Sequence, residues 1–189
     1  MISIVDGNAQ KTGWVKKKRW TPGRPERVRG IVIHTSETPE IKRGAINVAA
    51  WFSHPAAPSA SAHYAVDDGV IVRCVADEDT AWHCGSVNPW TIGIELQGRA
   101  GQSTSDWSDD YSRRMLTLAA DLVADLCSRY AIPVVHLLPE QLRADDGSAT
   151  GIFGHGDHTT AFAVKGGHTD PGPNFPWDLF LADVLAKMS

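Results

Sequence analysis

Apolar positions along the chain follow two kinds of pattern. Ile31-Val32-Ile33 is a continuous β-branched run inside residues 28–34, the mark of a buried strand, and that segment ends on His34. Residues 90–96 alternate instead. Ile92, Ile94 and Leu96 share one face, which puts Glu95 on the other face beside Thr91 and Gly93. Residues 62–67 and 70–74 flank Asp68-Gly69, a tight-turn dipeptide, and read as a hairpin. Helical spacing is brief over 42–53, through Ile46, Ala49, Ala50 and Phe52. It is sustained over 108–130, where Tyr111, Met115, Leu118, Leu122 and Leu126 recur. Ser108 is the expected cap of that helix, with Asp109 and Asp110 in its first turn. A closing helix is expected over 177–188, a short extended piece over 132–136 and a turn of helix near 139–145. Residues 1–27, punctuated by Gly7, Gly13, Pro22, Gly23 and Pro25, and the glycine-rich 151–176 read as loops. Strands interleaved with helices and a hairpin predict an α/β domain, a central mixed sheet flanked by helices. The expected organisation is an irregular basic segment at 1–27 and one domain at 28–189.

Composition narrows the class. A chain of 189 residues buries roughly 70% of its unfolded surface and needs neither disulfide nor metal merely to fold. No stretch approaches the 18 apolar residues of a membrane-spanning helix. The first residues lack a basic stretch followed by an apolar core, so no secretory signal is expected. Net charge is −4, unevenly spread: the first 30 residues carry eight Lys/Arg against two Asp/Glu. That start reads as a solvated basic arm with a weak attraction for anionic polymers, while the acidic remainder argues against nucleic-acid binding. Three cysteines, Cys74, Cys84 and Cys127, are odd in number and widely spaced, which suits a reduced state. Seven tryptophans are many for this length, and Trp often lines grooves for extended ligands.

Metal chemistry has candidates. A catalytic zinc takes three ligands from His, Asp, Glu or Cys and keeps one position for water. His34 at a strand end and His155, Asp157, His158, His168 and Asp170 within a glycine-rich stretch are residues of that type. Spacing alone leaves open whether these are ligands or hydrogen-bonded loop residues, and no His-Glu-x-x-His helix is present.

Seven blocks, in order, sharpen this. They are Ile31-Val-Ile-His34-Thr35, Ser61-Ala-His-Tyr64, Ala81-Trp-His-Cys-Gly85, Asn88, Ile92-Gly-Ile-Glu-Leu96, Gly154-His-Gly-Asp157 and Thr169-Asp-Pro-Gly-Pro-Asn-Phe-Pro-Trp177. In these blocks, which span about residues 28–180, the chain resembles the zinc-dependent N-acetylmuramoyl-L-alanine amidases shared with bacteriophage endolysins and peptidoglycan-recognition proteins. The blocks around Trp82-His83 and through Trp177 are most similar to lysins of actinobacterial phages. The resemblance implies one zinc ion held by His34, His155 and Asp170, with Glu95 as catalytic carboxylate. It implies a peptidoglycan hydrolase that cuts between N-acetylmuramic acid and L-alanine. Such a monomeric endolysin is made in the host cytoplasm and acts on the wall after release, without nucleic acid or membrane insertion. Relatives commonly carry Lys two residues before the third ligand; here His168 stands there. His168 is expected to stabilise the oxyanion, with Lys165 as the other candidate. His63, Trp82, His83, Asn88 and Lys165 are the expected substrate contacts. For His63 and His83 a structural hydrogen-bonding role is equally open, and for Trp82 a place in the core. Asp157 is expected to orient His155 or a loop amide, and Cys84 and His158 to be bystanders. A zinc endopeptidase acting on stem or crosslink peptides, and a non-catalytic peptidoglycan-binding module, are the alternative readings.

Overall fold

The computed structural model describes residues 3–6 and 19–189. Its elements are β1 (Ile4–Asp6), β2 (Trp20–Thr21), β3 (Gly30–Thr35), α1 (Gly44–Ser53), β4 (Tyr64–Val66), β5 (Ile71–Arg73), β6 (Thr80–Ala81), a 3₁₀ segment (Gly85–Trp90), β7 (Thr91–Leu96), α2 (Thr104–Trp107), α3 (Asp110–Tyr130), α4 (Pro139–Arg143), β8 (Gly151–Gly154), α5 (His155–Ala161) and α6 (Trp177–Lys187). Six strands form a mixed sheet in the order β1-β5-β4-β7-β3-β8, and β2 and β6 make a separate antiparallel ribbon. Within the six, only the β4–β5 hairpin is antiparallel. The architecture is the mixed sheet with flanking helices that the pattern predicted.

Strand alternation assigns the two faces. Ile31 and Ile33 of β3 join Ile92, Ile94 and Leu96 of β7 in one core with Met115, Leu122 and Leu126 of α3 and Phe180 and Val184 of α6. Removing one such Leu side chain costs about 2–5 kcal/mol. Val32 and Phe153 pack on the opposite face with Trp90 and Leu142, and Ala65 and Val72 pack with Val48 and Ala49 of α1. His34 and Glu95 therefore emerge on the face away from α3.

Several elements differ from expectation. The long helix starts at Asp110, because the side chain of Asp109, rather than Ser108, accepts from Ser112 N–H at 2.8 Å. Residues 104–107 form a separate turn capped by Ser103. The stretch 151–176 contains β8 and α5. β8 is short, and its pairing with β3 is a long-range contact without local periodicity. α5 is built from poor helix formers, and Asp157 Oδ2 secures its start by accepting from Gly154 N–H at 2.8 Å.

The segment read as an irregular, solvated basic arm contributes β1, β2 and two embedded arginines, and Arg29 just beyond it is embedded as well. Arg19 donates to the carbonyls of Phe52, His54 and Ala57. Arg24 donates to the carbonyls of Asp77 and Thr91. Arg29 lies 3.8 Å over the Trp90 ring and pairs with Asp145. The lysine-rich residues 7–18 lie outside the described residues. Cys74, Cys84 and Cys127 are all free thiols. Among the described residues, no helix is long and apolar enough to cross a membrane.

Candidate active site

Strands β7, β3 and β8 run parallel, so their C-terminal ends share one edge of the sheet, where ligands of open α/β sheets bind. His34 sits near the end of β3, and the register sets it directly opposite Glu95 of β7. His155 opens α5 immediately after β8. Asp170 arrives from the loop between α5 and α6, pinned where its carbonyl accepts from Gly156 N–H at 2.8 Å. Parallel pairing and the Asp170 loop thus bring together three residues whose outer two are 136 positions apart. One ligating atom from each lies within 4.8 Å of the others.

His34 Nδ1 is 3.0 Å from Asp170 Oδ2, and His155 Nδ1 is 3.6 Å from Asp170 Oδ1. Burial opposes charge on His34, but the hydrogen bond to Asp170 and the charges of Glu95 and Asp170 raise its pKa. Burial likewise pushes Asp170 upward, and its contacts with His34 and the charge of His155 outweigh that and hold it low. His155 is pulled down to about 3 by burial, then by the charge of His34. Glu95 is pushed up to about 7, first by burial; the charge of His34 opposes, and Asp170 and Glu37 add to the rise. A carboxyl near neutrality in a cleft is suited to exchanging protons.

The donor set fits a zinc ion. His155 Nδ1 is buried without a hydrogen-bond partner, which costs about 1–3 kcal/mol if left so. Two imidazole nitrogens turned toward one carboxylate are satisfied by a cation among them. Two histidines and a carboxylate are also a three-ligand catalytic zinc set with the fourth position open. Cys84, His155 and His158 form a second metal-capable group. It shares His155 and offers a thiol whose ionisation is opposed by burial, so the carboxylate set is the better fit.

Above these residues lies a cleft of about 560 Å³. Its floor includes His34, His83, Glu95, His155 and Asp170. Its walls include Asn47, Trp51 and Phe52 of α1, Pro58, Ala60 and Trp82. His168 stands at the mouth with its side chain 67% exposed, its ring stacked 4.4 Å from His155 and its Nδ1 3.5 Å from Asp170 Oδ1.

Of the expected substrate contacts, Trp82 and His83 reach the cleft; His63, Asn88 and Lys165 do not line it. His63 is fully buried. Its Nδ1 accepts from Gly93 N–H at 2.9 Å and its Nε2 faces the Asp79 carbonyl and Arg24 Nη2, so both ring nitrogens are engaged within the chain. Asn88 Oδ1 accepts from the backbone amides of His83 and Cys84, closing the turn that carries His83. Lys165 is exposed on the turn after α5, outside the cleft. Asp157 accepts from the backbone amide of Gly154 at the β8–α5 junction and pairs with His136, which stacks on Trp177. Glu37, Asn47 and Trp51 line the cleft without belonging to any motif. The excess of tryptophan was the one signal pointing toward Trp51.

The family model described as N-acetylmuramoyl-L-alanine amidase matches residues 24–173. N-acetylmuramoyl-L-alanine amidase A of Achromobacter lyticus is 30% identical over 160 residues, covering 78% of this chain and 77% of its own length. The 1,6-anhydro-N-acetylmuramyl-L-alanine amidase AmpD of Enterobacter cloacae is 26% identical, covering 91% of this chain and 92% of its own. A mutant endolysin from Bacillus subtilis has a similar fold, with a TM-score of 0.62 at 18% identity, covering 97% of this chain and 99% of that one.

Proposed function

The chain belongs to the N-acetylmuramoyl-L-alanine amidase family, and from that premise we propose that it hydrolyses the amide bond between N-acetylmuramic acid and the L-alanine of the peptidoglycan stem, using zinc held by His34, His155 and Asp170. The observation that carries this reading is the convergence of two imidazole nitrogens on one carboxylate, one nitrogen buried without a partner, beside a carboxyl held near neutrality. Zinc bound there supplies Lewis-acid polarisation and lowers the pKa of a water from about 15.7 to about 7.

The chain's own residues do the rest. Glu95 takes the proton of the attacking water at Oε2, the buried oxygen that has no protein partner. It then returns that proton to the leaving amine, so one carboxylate serves both steps. His168 donates to the developing oxyanion from the cleft mouth, a role worth about 3 kcal/mol for such a donor. Trp51 and Trp82 give the glycopeptide flat apolar walls. The likeness in fold to an endolysin supports a role in host lysis by a phage. In that role the protein is a monomer made in the host cytoplasm that acts on the wall after release.

The test is digestion of insoluble peptidoglycan with and without a zinc chelator, with mass spectrometry of the soluble products. The reading expects chelator-sensitive release of peptides with a free N-terminal L-alanine. Fragments cut within the stem or crosslink would make the protein an endopeptidase, and wall binding without products would make it a recognition module.

A further inference from the structure

The zinc ligand His34 coordinates only through a nitrogen that carries no proton, and something must keep the proton on its other nitrogen. We propose that His83, with Thr91 and the carbonyl of Val87, forms a hydrogen-bond relay that fixes the tautomer of His34 and so holds Nδ1 ready for the metal. This rests on the zinc reading above and makes His83 a positioning residue rather than a substrate contact.

The polarity of the relay follows from counting protons. Thr91 has one hydroxyl proton, and it is donated to the Val87 carbonyl at 2.8 Å. Thr91 Oγ1 can then only accept from His83 Nε2, 3.2 Å away, so the His83 proton is on Nε2. His83 Nδ1 is left as a lone pair, and it faces His34 Nε2 at 3.1 Å. His34 Nε2–H therefore donates to His83, and the proton that His34 Nδ1 shares with Asp170 Oδ2 in the metal-free chain is the one a bound metal displaces, leaving Nδ1 as the ligating nitrogen. Reversing the chain turns His83 Nε2 toward the Thr91 oxygen lone pairs. It also moves the His34 proton to Nδ1, where it blocks ligation. Among the described residues no carboxylate is hydrogen-bonded to the His83 ring, so a second proton there would be a buried charge without a counter-charge.

Neighbours are shaped for this arrangement. Gly93 lies on the β7 face beneath the His83 ring, and a Cβ there would stand 2.6 Å from His83 Cγ. Only glycine lets the imidazole sit flat against the strand. Asn88 holds the His83 backbone amide, and Thr91 begins the strand that carries Glu95. The ligand and the general base thus share one scaffold. Metal-bound histidines usually give their second N–H to a carboxylate, carbonyl or water; here the acceptor is another imidazole, whose own proton must be directed in turn.

The test measures zinc affinity by competition with a chromophoric chelator, together with melting temperature, for wild type, His83→Ala, His83→Asn and Thr91→Val. Asn places Oδ1 where His places Nδ1, and so restores the acceptor. The relay expects His83→Ala to weaken zinc roughly 10–100-fold, His83→Asn to recover most of that loss and Thr91→Val to give a smaller one. Imidazole ¹⁵N NMR of the zinc-loaded wild type should find the His34 proton on Nε2 and the His83 proton also on Nε2. Wild-type zinc affinity in His83→Ala, an Asn variant as weak as Ala, or a His83 proton on Nδ1 would overturn the relay while leaving the zinc reading intact. A wild type that binds no zinc would remove both. Loss of melting temperature without loss of zinc affinity would assign His83 a packing role alone and also defeat the proposal.

Discussion

Two buried polar clusters belong to the same domain, one between β4 and α3 and one at the ends of β3, β7 and β8, and they differ in one respect. Around Asp77, Oδ1 accepts from the Tyr64 hydroxyl at 2.6 Å, and Oδ2 accepts from Arg129 Nη1 at 2.8 Å and from the Tyr130 hydroxyl at 3.1 Å. Both oxygens of that carboxylate are satisfied by the chain itself. Around Asp170, imidazoles and carboxylates are equally buried, yet His155 Nδ1 and Glu95 Oε2 have no partner. Buried polar groups are normally paired. A complete network tightens the fold; one that lacks partners is where a ligand supplies the missing half. Charge and burial alone do not separate the two clusters, whereas hydrogen-bond accounting does.

That contrast can be broken most severely at Asp170. Asp170→Asn should abolish zinc binding and hydrolysis together, and zinc should no longer raise the melting temperature; metal analysis and thermal melts check this. Glu95→Ala comes next. It should keep zinc while kcat falls by about 10²–10⁴, so a variant with normal turnover would mean that another group moves the proton. His168→Ala should lower kcat by roughly 100-fold at unchanged zinc content.

The finished cluster should answer in stability instead. Asp77→Ala should cost about 2–3 kcal/mol, a figure tempered because Arg129, with a side chain 41% exposed, can turn to water. Burial pushes Asp77 upward, but its bonds from Tyr64 and Arg129 hold its pKa below the ordinary 3.8. A depressed carboxylate contributes stability that is present above its unfolded value and lost as pH falls through the folded one. Acid denaturation should therefore separate wild type from Asp77→Ala above about pH 4 and bring them together well below it. The smallest effect belongs to Lys165→Ala, which should leave turnover and melting temperature unchanged because the side chain is exposed and outside the cleft.

How much of this was legible in the sequence depended on whether the cause was local. The alternation of Ile92, Ile94 and Leu96 put Glu95 on the cleft face because strand geometry is a two-residue repeat. The Asp68-Gly69 turn marked the β4–β5 hairpin for a similarly local reason. β8 and α5 escaped notice because their formation depends on pairing with β3 and on the Asp157 cap rather than on periodicity. Family blocks named His34, His155 and Asp170, but their convergence comes from parallel strands distant in sequence. His63 shows the limit of motif position: it lies in a matching block, yet it is buried beside β7, and its ring nitrogens face backbone groups and the Arg24 guanidinium. His83 lies in another block and has both a ring on the cleft floor and a bond to His34.

The most direct test of the contrast is an anomalous-scattering map of zinc-loaded crystals, collected at the zinc absorption edge. The account predicts one peak bounded by His34 Nδ1, His155 Nδ1 and the Asp170 carboxylate, and none at Asp77. A peak among Cys84, His155 and His158 instead, or no bound zinc at all, would contradict it.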